Sequence, residues 1–167
     1  MNILIRDEQP ADIEAIFELT RLAFLNAAHT NHTEQFIVSA LRRSGHLSLS
    51  LVAEEERPIG HVAFSPISVS SGDAGWYGVG PLSVLPEYQQ KRIGTRLMEQ
   101  GLSRLMNMNA RGCVLVGDPA YYSRFGFSPV ADLALPGVPP EYFLGKSFCN
   151  AMPKGEVNFS PAFLATS

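Results

Sequence analysis

The sequence is poor in charge, in cysteine and in long apolar runs, and each shortage excludes a class of protein. Charged residues are 17% of the 167 residues, whereas the average in soluble domains is about 25%. Lys and Arg number 13 against 16 Asp and Glu, a net charge of −3, whereas nucleic-acid binding without sequence preference needs a basic surplus. The longest uncharged stretch, Pro58–Gly72, contains prolines, serines and a histidine, unlike the roughly 20 apolar residues of a membrane span. We expect neither nucleic acid nor membrane as a partner.

Cysteine is also scarce. Cys113 and Cys149 are the only two, too few for a disulfide framework or a metal site, so we expect reduced core thiols in a cytoplasmic protein. The N-terminus shows no apolar signal segment. No repeat or linker divides the chain, and 46% apolar residues can fill a sizeable core. We expect a single domain over residues 1–167.

The hydrophobic periodicity predicts an α+β fold. Alternating apolar and polar residues indicate strands, and apolar residues at helical spacing indicate helices. The predicted strands are Asn2–Arg6, Leu47–Ala53, Ile59–Val69, Trp76–Val84, Val114–Val116, one after Gly126, and strands within Tyr142–Asn150 and Val157–Phe159. One predicted helix begins at Pro10, and the other predicted helices are Thr33–Arg43, Ile93–Asn109 and Pro119–Arg124. This order predicts a mixed, largely antiparallel sheet flanked by helices.

The segment Pro81–Leu97 carries the strongest chemical signal. A strand ends at Val84, and a basic loop then leads directly into the helix at Ile93. Cations at a helix N-terminus are unfavourable unless an anion is bound there. Gly94 allows a ligand to approach the backbone. A phosphate site is one interpretation, and a solvated charged loop is the alternative.

These residues resemble the pyrophosphate-binding motif of the GNAT superfamily of acetyl-CoA-dependent N-acetyltransferases, written [Q/R]-x-x-G-x-[G/A]. The matching segment runs from Gln89 to Gly94, with Arg92 where the motif has its first glycine. Tyr122 to Phe127 resembles the Y-x-x-x-G-F ending of the superfamily, and Arg6 with Asp12 resembles its opening. The C-terminal segment resembles a branch of predicted bacterial acetyltransferases.

The resemblance implies a GNAT-type fold in which two central strands splay apart. Coenzyme A then pairs its pantetheine with the exposed strand edge, and its pyrophosphate lies on the helix N-terminus. Acetyl-CoA is the implied co-substrate, with no metal. The implied coenzyme-binding residues are Leu82, Ser83, Val84, Gln89, Gln90, Lys91, Arg92, Ile93, Gly94 and Thr95.

The resemblance also implies a catalytic residue. Tyr122 matches the tyrosine that lies near the coenzyme sulfur and acts as general acid, although an aromatic cluster with Tyr121, Phe125 and Phe127 would also explain it. Direct attack of an amine on the thioester needs a polarised carbonyl and a protonated leaving thiolate. A backbone N–H of Leu82 or Ser83 is a candidate for the developing oxyanion.

The general base is left open, because the strand Trp76–Val84 has no Asp or Glu. His61 is one candidate, with an ordinary strand histidine as the alternative. Asp118 is another, with a helix N-cap as the alternative. His29 and His32 lack further metal-ligand spacing and fall in a loop that the resemblance places at the acceptor site.

The sequence therefore predicts an N-acetyltransferase acting on a small-molecule or peptide amine. Two alternatives remain: a coenzyme-binding sensor without turnover, and a transferase of a longer acyl chain. The acceptor, the acyl-chain length and the oligomeric state, including a homodimer, stay open.

Overall fold

The computed structural model describes residues 1–167. The chain forms ten strands and four α-helices, with short 3₁₀ turns between some of them. The strands are β1 Leu4–Asp7, β2 Leu49–Glu55, β3 Arg57–Pro66, β4 Ser68–Val69, β5 Trp76–Val84, β6 Gly112–Val116, β7 Ser128–Pro129, β8 Leu133–Ala134, β9 Phe143–Ser147 and β10 Gly155–Asn158. The helices are α1 Ile13–Phe24, α2 Glu34–Ser44, α3 Ile93–Asn107 and α4 Pro119–Tyr122.

Seven strands form the main sheet in the order β1-β2-β3-β5-β6-β9-β7. Every neighbouring pair is antiparallel except β5 and β6, which are parallel because α3 crosses over between them. A small second sheet has the order β4-β10-β8. The predicted α+β class and the mixed, largely antiparallel sheet are confirmed.

Strands β5 and β6 separate after a short paired stretch. They pair only at Trp76–Gly112, Tyr77–Cys113 and Gly78–Val114, although β5 continues to Val84. The pairing of β5 with β3 shifts register between Val62 and Phe64, where Gly80 and Pro81 of β5 lie opposite the single residue Ala63 of β3. Such a bulge bends the strand, and Pro81 offers no N–H for pairing. The predicted splay of the central strands is confirmed.

Helix α3 covers one face of the sheet, where its apolar side meets the largest core cluster. Leu97 and Leu105 are fully buried there. The ring of Phe64 from β3 fills the space that a side chain at Gly101 would occupy, so only glycine permits this close packing. Contact with the sheet through Ile93 fixes where the helix begins, beside the end of β5.

Helices α1 and α2 pack on the opposite face. Ile16 of α1 and Val38 of α2 meet Val52 of β2 in a small buried cluster. Arg6 of β1 donates two hydrogen bonds to Asp12, at 2.7 and 3.0 Å. This pairing ties the first strand to the start of the first helix.

Most differences from the predicted elements lie at their ends. Pro10 begins a 3₁₀ turn, and α1 itself begins at Ile13. The reversal between β2 and β3 is tight, because β2 extends to Glu55 and the turn uses Glu56 with a φ of 60°. Both cysteines are free, but only Cys113 is a core thiol, since Cys149 is half-buried. None of the helices is long and apolar enough to cross a membrane.

Candidate active site

The loop between β5 and α3 has an unusual backbone. Gln90 and Arg92 adopt φ values of 62° and 65°, in the left-handed region that favours glycine. Arg92 is also the N-cap of α3. The motif places its first glycine at this position, so Arg92 keeps the backbone conformation of that glycine while adding a cation.

The N-terminus of α3 points its unpaired N–H groups into the end of this loop. Its first turn contains no acidic residue that would satisfy the positive end of the helix dipole. Gly94 leaves the backbone accessible, and a Cβ placed on it would lie 3.2 Å from the Tyr121 hydroxyl. These features favour an anion as the missing partner.

A cleft of ≈ 480 Å³ lies over this helix terminus and the end of β5. Its walls carry two arginines and no carboxylate. The lining residues are Leu82, Val84, Tyr88, Gln89, Gln90, Arg92, Ile93, Gly94, Thr95, Tyr121 and Arg124. Eight of the ten residues expected to bind coenzyme are in this set, so the structure brings them together.

The two expected residues outside the lining are Ser83 and Lys91. Ser83 is 1% exposed and alternates with Leu82 and Val84, so its side chain faces α1 and α2. Lys91 is exposed, with its ammonium 5.6 Å from the ring centroid of Tyr88. Ser83 therefore offers only its backbone to the cleft.

Three cleft residues, Tyr88, Tyr121 and Arg124, were not expected from the sequence. Tyr88 directly precedes the expected segment, and the other two contact each other. The Arg124 guanidinium lies 4.4 Å from the Tyr121 ring centroid, and its Nε donates to the Tyr121 carbonyl at 2.8 Å. Both come from the turn after β6, which tertiary folding brings beside α3. The only sequence signal was a basic residue within the Y-x-x-x-G-F segment.

Tyr122 lies directly beyond the carboxyl end of β6, beside the splay. Its ring packs on Gly117, where any larger residue would collide with it, and makes edge contacts with Tyr121 and Phe127. Burial, with a smaller effect of Tyr121, raises the pKa of the Tyr122 phenol to about 12. The phenol therefore carries its proton at neutral pH, and burial makes it a weaker acid than an exposed tyrosine.

Both candidates for the general base are engaged in other interactions. Asp118 is the N-cap of α4 and accepts from the Ala120 N–H at 2.9 Å, which is the alternative role predicted for it. His61 is fully buried on β3, and its Nε2 lies 2.7 Å from Ser50 Oγ. Burial lowers the pKa of His61 to about 4. Neither side chain lines the cleft.

The histidines of the loop between α1 and α2 do not form a metal site. His32 Nδ1 lies 3.0 Å from the Phe24 carbonyl oxygen, and His29 is exposed. No group of three or more His, Cys, Asp or Glu side chains lies close enough together to hold a metal ion.

Comparison with known proteins agrees with this geometry. The family model of the acetyltransferase (GNAT) family matches residues 13–127. The chain is 40% identical to the uncharacterized N-acetyltransferase YhbS of Escherichia coli K12 over 131 residues, covering 77% of this chain and 75% of that protein. It is 33% identical to the E. coli K12 protein YjhQ over 91 residues, covering 53% and 50% of the two chains.

Solved structures are also similar. A GNAT family acetyltransferase from Brucella melitensis, crystallised with acetyl-CoA, has a TM-score of 0.87 and 44% identity, covering 97% of this chain and 98% of that one. The E. coli YhbS structure, in complex with CoA, has a TM-score of 0.89 and 34% identity, covering 100% and 94%. The splayed strands, the open helix terminus and these similarities lead to one conclusion: the chain belongs to the GNAT family of acetyltransferases.

Proposed function

We propose that this protein transfers an acetyl group from acetyl-CoA to a primary amine by direct attack within a ternary complex. The observation that carries the proposal is the unpaired edge of β5 running from the splay to the anion-binding cleft. One ligand that has an anionic head and an amide-containing arm satisfies both features. Acetyl-CoA has this composition.

The pyrophosphate is assigned to the N-terminus of α3. Backbone N–H groups from Gln90 to Thr95 supply donors, and Arg92 with Arg124 supplies charge. Each charge-assisted hydrogen bond contributes roughly 1.5–3 kcal/mol. The pantetheine amides are assigned to the free edge of β5 beyond Gly78, where β6 no longer pairs with it.

The chemical step follows from where this places the thioester. The arm passes along β5 toward the end of β6, where Tyr122 lies. A backbone N–H of Leu82 or Ser83 stabilises the developing oxyanion, and Tyr122 donates its proton to the leaving thiolate. We place the reaction in the cytoplasm, where free thiols such as Cys113 persist, and propose that residues 1–167 form one catalytic domain.

A sensor that binds coenzyme without turnover is the second candidate. The observation that favours it is that β5 carries no carboxylate and neither base candidate reaches the cleft. Release of free thiol from acetyl-CoA, measured across a panel of primary amines, separates the two functions. We expect amine-dependent thiol release, and tight coenzyme binding with no release for any amine would favour the sensor. Repeating the assay with longer acyl-CoA chains tests the acyl preference.

A matched pair of variants tests the location of the coenzyme. Gly94→Glu places a carboxylate in the anion site, whereas Gln100→Glu adds the same charge to an exposed position of the same helix. We expect calorimetry to show no acetyl-CoA binding by the first and wild-type affinity for the second. The melting temperature of Gly94→Glu should hold, because an acidic residue suits a helix N-terminus. Wild-type affinity in Gly94→Glu would contradict the proposed site.

A further inference from the structure

A chain of buried and half-buried polar side chains runs across the strands on the face under α1 and α2, opposite the coenzyme cleft. Ser50 Oγ in β2 lies 2.8 Å from Glu8 Oε1 and 2.7 Å from His61 Nε2 in β3. Arg42 of α2 binds the same Glu8 carboxylate through Nε and Nη2, at 3.1 and 2.7 Å. Two strands, a helix and the segment after β1 therefore meet in one hydrogen-bonded network.

The direction of each hydrogen bond in this network is determined by its donors. Burial acts to raise the pKa of Glu8, but the hydrogen bonds from Arg42 and Ser50 lower it below its ordinary value, so the carboxylate is ionised and only accepts. Ser50 has one hydroxyl proton and donates it to Glu8. Ser50 must then accept from His61, which places the imidazole proton on Nε2 and leaves Nδ1 with a free lone pair.

The free nitrogen has a natural partner on the next strand. His61 Nδ1 and Ser83 Oγ are both buried, and neither has a hydrogen-bond partner. Their residues are directly paired across β3 and β5, which brings their Cβ atoms to about 4.5–5.5 Å. Buried polar atoms without partners are rare. A hydroxyl donor and an imidazole acceptor at this spacing can be joined by one bridging water, which would give both atoms a partner.

We propose that Ser83, His61, Ser50 and Glu8 form, in that order, a proton relay from the acetyl-transfer site to a second cleft at the protein surface. The relay rests on the proposed function, which puts Ser83 on the stretch of β5 that holds the thioester. Glu8, Ser50 and Arg42 line a second, polar cleft of ≈ 340 Å³. The far end of the relay therefore meets solvent.

The reaction supplies a proton that needs such a route. A cationic amine, R–NH₃⁺, and acetyl-CoA give R–NH–acetyl, the free thiol of coenzyme A and one proton. The C–N bond forms, the C–S bond breaks, and Tyr122 protonates the thiolate and is reprotonated from the acceptor nitrogen. The second proton of that nitrogen passes to Ser83 Oγ through water, because the buried Ser83 side chain does not itself line the cleft. Ser83 hands its own proton to His61 Nδ1, the Nε2 proton moves to Ser50, and the Ser50 proton moves to Glu8 and then to water.

The charges around His61 disfavour an imidazole that holds an extra proton, and they favour one that passes a proton on. Burial is the main cause of its lowered pKa, and Arg42 lowers it further, while Glu8 and Asp12 act to raise it. A cation on the imidazole is therefore disfavoured. Moving a proton onto Nδ1 while another leaves Nε2 avoids that cation.

The test begins with the hydrogen bonds, using ¹⁵N NMR of the imidazoles in the full-length protein. The His61 resonances are assigned by their loss in His61→Gln. We expect a neutral ring with the proton on Nε2, and an Nδ1 resonance that shifts in Ser83→Ala. Ser65→Ala is the matched control, because Ser65 is also buried on β3 without a hydrogen-bond partner. Ser65 stands opposite Gly78, which has no side chain that could extend a hydrogen-bonded relay.

Kinetics then tests transport of the proton. Thiol release from acetyl-CoA is measured with a cationic alkylamine and with hydroxylamine, which is neutral at neutral pH and releases no net proton on acetylation. We expect Ser83→Ala to slow the alkylamine reaction about 10²-fold, the lower range for loss of acid–base assistance, and to leave hydroxylamine at the rate of the Ser65→Ala control. Ser50→Ala, which breaks the relay at another link, should show the same split, with unchanged acetyl-CoA affinity by calorimetry.

Each alternative outcome overturns the relay. A proton on Nδ1 in the wild type, an Nδ1 resonance unaffected by Ser83→Ala, or equal slowing of both nucleophiles contradicts it. If acetyl-CoA binds and both nucleophiles react at wild-type rates in these variants, the relay fails and the proposed function stands. If wild-type protein binds no acetyl-CoA, the proposed function fails and the relay falls with it.

Discussion

At the scale of single residues, the neighbouring tyrosines Tyr121 and Tyr122 have different surroundings. Tyr121 lines the coenzyme cleft with its hydroxyl near Gly94. Tyr122 is packed at the end of β6 with its proton retained by burial. The turn of α4 aims Tyr121 at the proposed phosphate region. The two hydroxyls should therefore affect different kinetic constants.

Replacing each tyrosine by phenylalanine tests this division. Tyr122→Phe removes the proton donor but keeps the ring, so we expect kcat to fall by roughly 10²-fold or more, with coenzyme affinity and melting temperature nearly unchanged. Tyr121→Phe should raise KM for acetyl-CoA and leave kcat close to wild type. Steady-state kinetics with varied acetyl-CoA measures both constants. Near-wild-type kcat in Tyr122→Phe would show that its ring serves only packing.

His61 predicts a pH dependence of stability. Its pKa falls from an ordinary 6.5 to about 4 in the folded protein, so between these values the unfolded chain binds a proton that the folded chain rejects. The free energy of unfolding should decrease as pH falls through this window, by roughly 3 kcal/mol in total from this residue. Glu8 and Asp12, whose pKa values are lowered, add a further loss at more acidic pH.

Urea unfolding at several pH values measures this slope. We expect the free energy of unfolding of His61→Gln to change less with pH than that of the wild type between about pH 6.5 and 4.5, because glutamine does not titrate. Exposed His29→Gln serves as the control and should keep the wild-type slope. An unchanged slope in His61→Gln would mean that the buried imidazole is not the group responsible.

At the scale of secondary-structure elements, the turn before α3 combines a binding role with backbone strain. Arg92 occupies the left-handed region at a φ of 65°, which costs a residue with a Cβ about 1–2 kcal/mol. The motif avoids this cost with glycine. Binding of an anion by the cation at this position, as proposed, would compensate for this cost.

A matched pair of substitutions separates the two effects. Arg92→Gly and Arg92→Ala both remove the cation, and only glycine relieves the strain. We expect both to weaken acetyl-CoA binding by roughly 1–3 kcal/mol. Arg92→Gly should unfold at a higher temperature than Arg92→Ala, since the released strain exceeds the unfolded-state entropy that glycine adds. Equal melting temperatures would contradict the strain.

The elements also show how far sequence reasoning reaches. Strand β5 was predicted with its observed ends, because alternation and the flanking turns define it locally. The splay was implied by family resemblance, and its physical cause, the bulge at Gly80 and Pro81, appears only in the pairing with β3. Arg124 in the cleft and Ser83 on the far face depend on tertiary packing and side-chain direction. Such contacts have no signature in local periodicity.

At the scale of the whole molecule, the coenzyme should bridge several parts of the fold. Strand β5, α3 and the turn after β6 meet around the cleft. A ligand that binds only the native state raises the free energy of unfolding by about 2.7 kcal/mol at a hundredfold excess over Kd. Acetyl-CoA should therefore raise the melting temperature, and adenosine 3′,5′-bisphosphate, which lacks pantetheine, should raise it less. Equal shifts would mean that the free edge of β5 is not used.

The measurement that tests the central claim most directly is a crystal structure of the protein with acetyl-CoA. We predict the pyrophosphate on the backbone N–H groups at the start of α3, with Arg92 and Arg124 beside it. The pantetheine should pair with β5 beyond Gly78, and the thioester sulfur should lie within hydrogen-bonding reach of the Tyr122 hydroxyl. Coenzyme bound elsewhere, or a sulfur remote from Tyr122 with β5 left unpaired, would contradict the account.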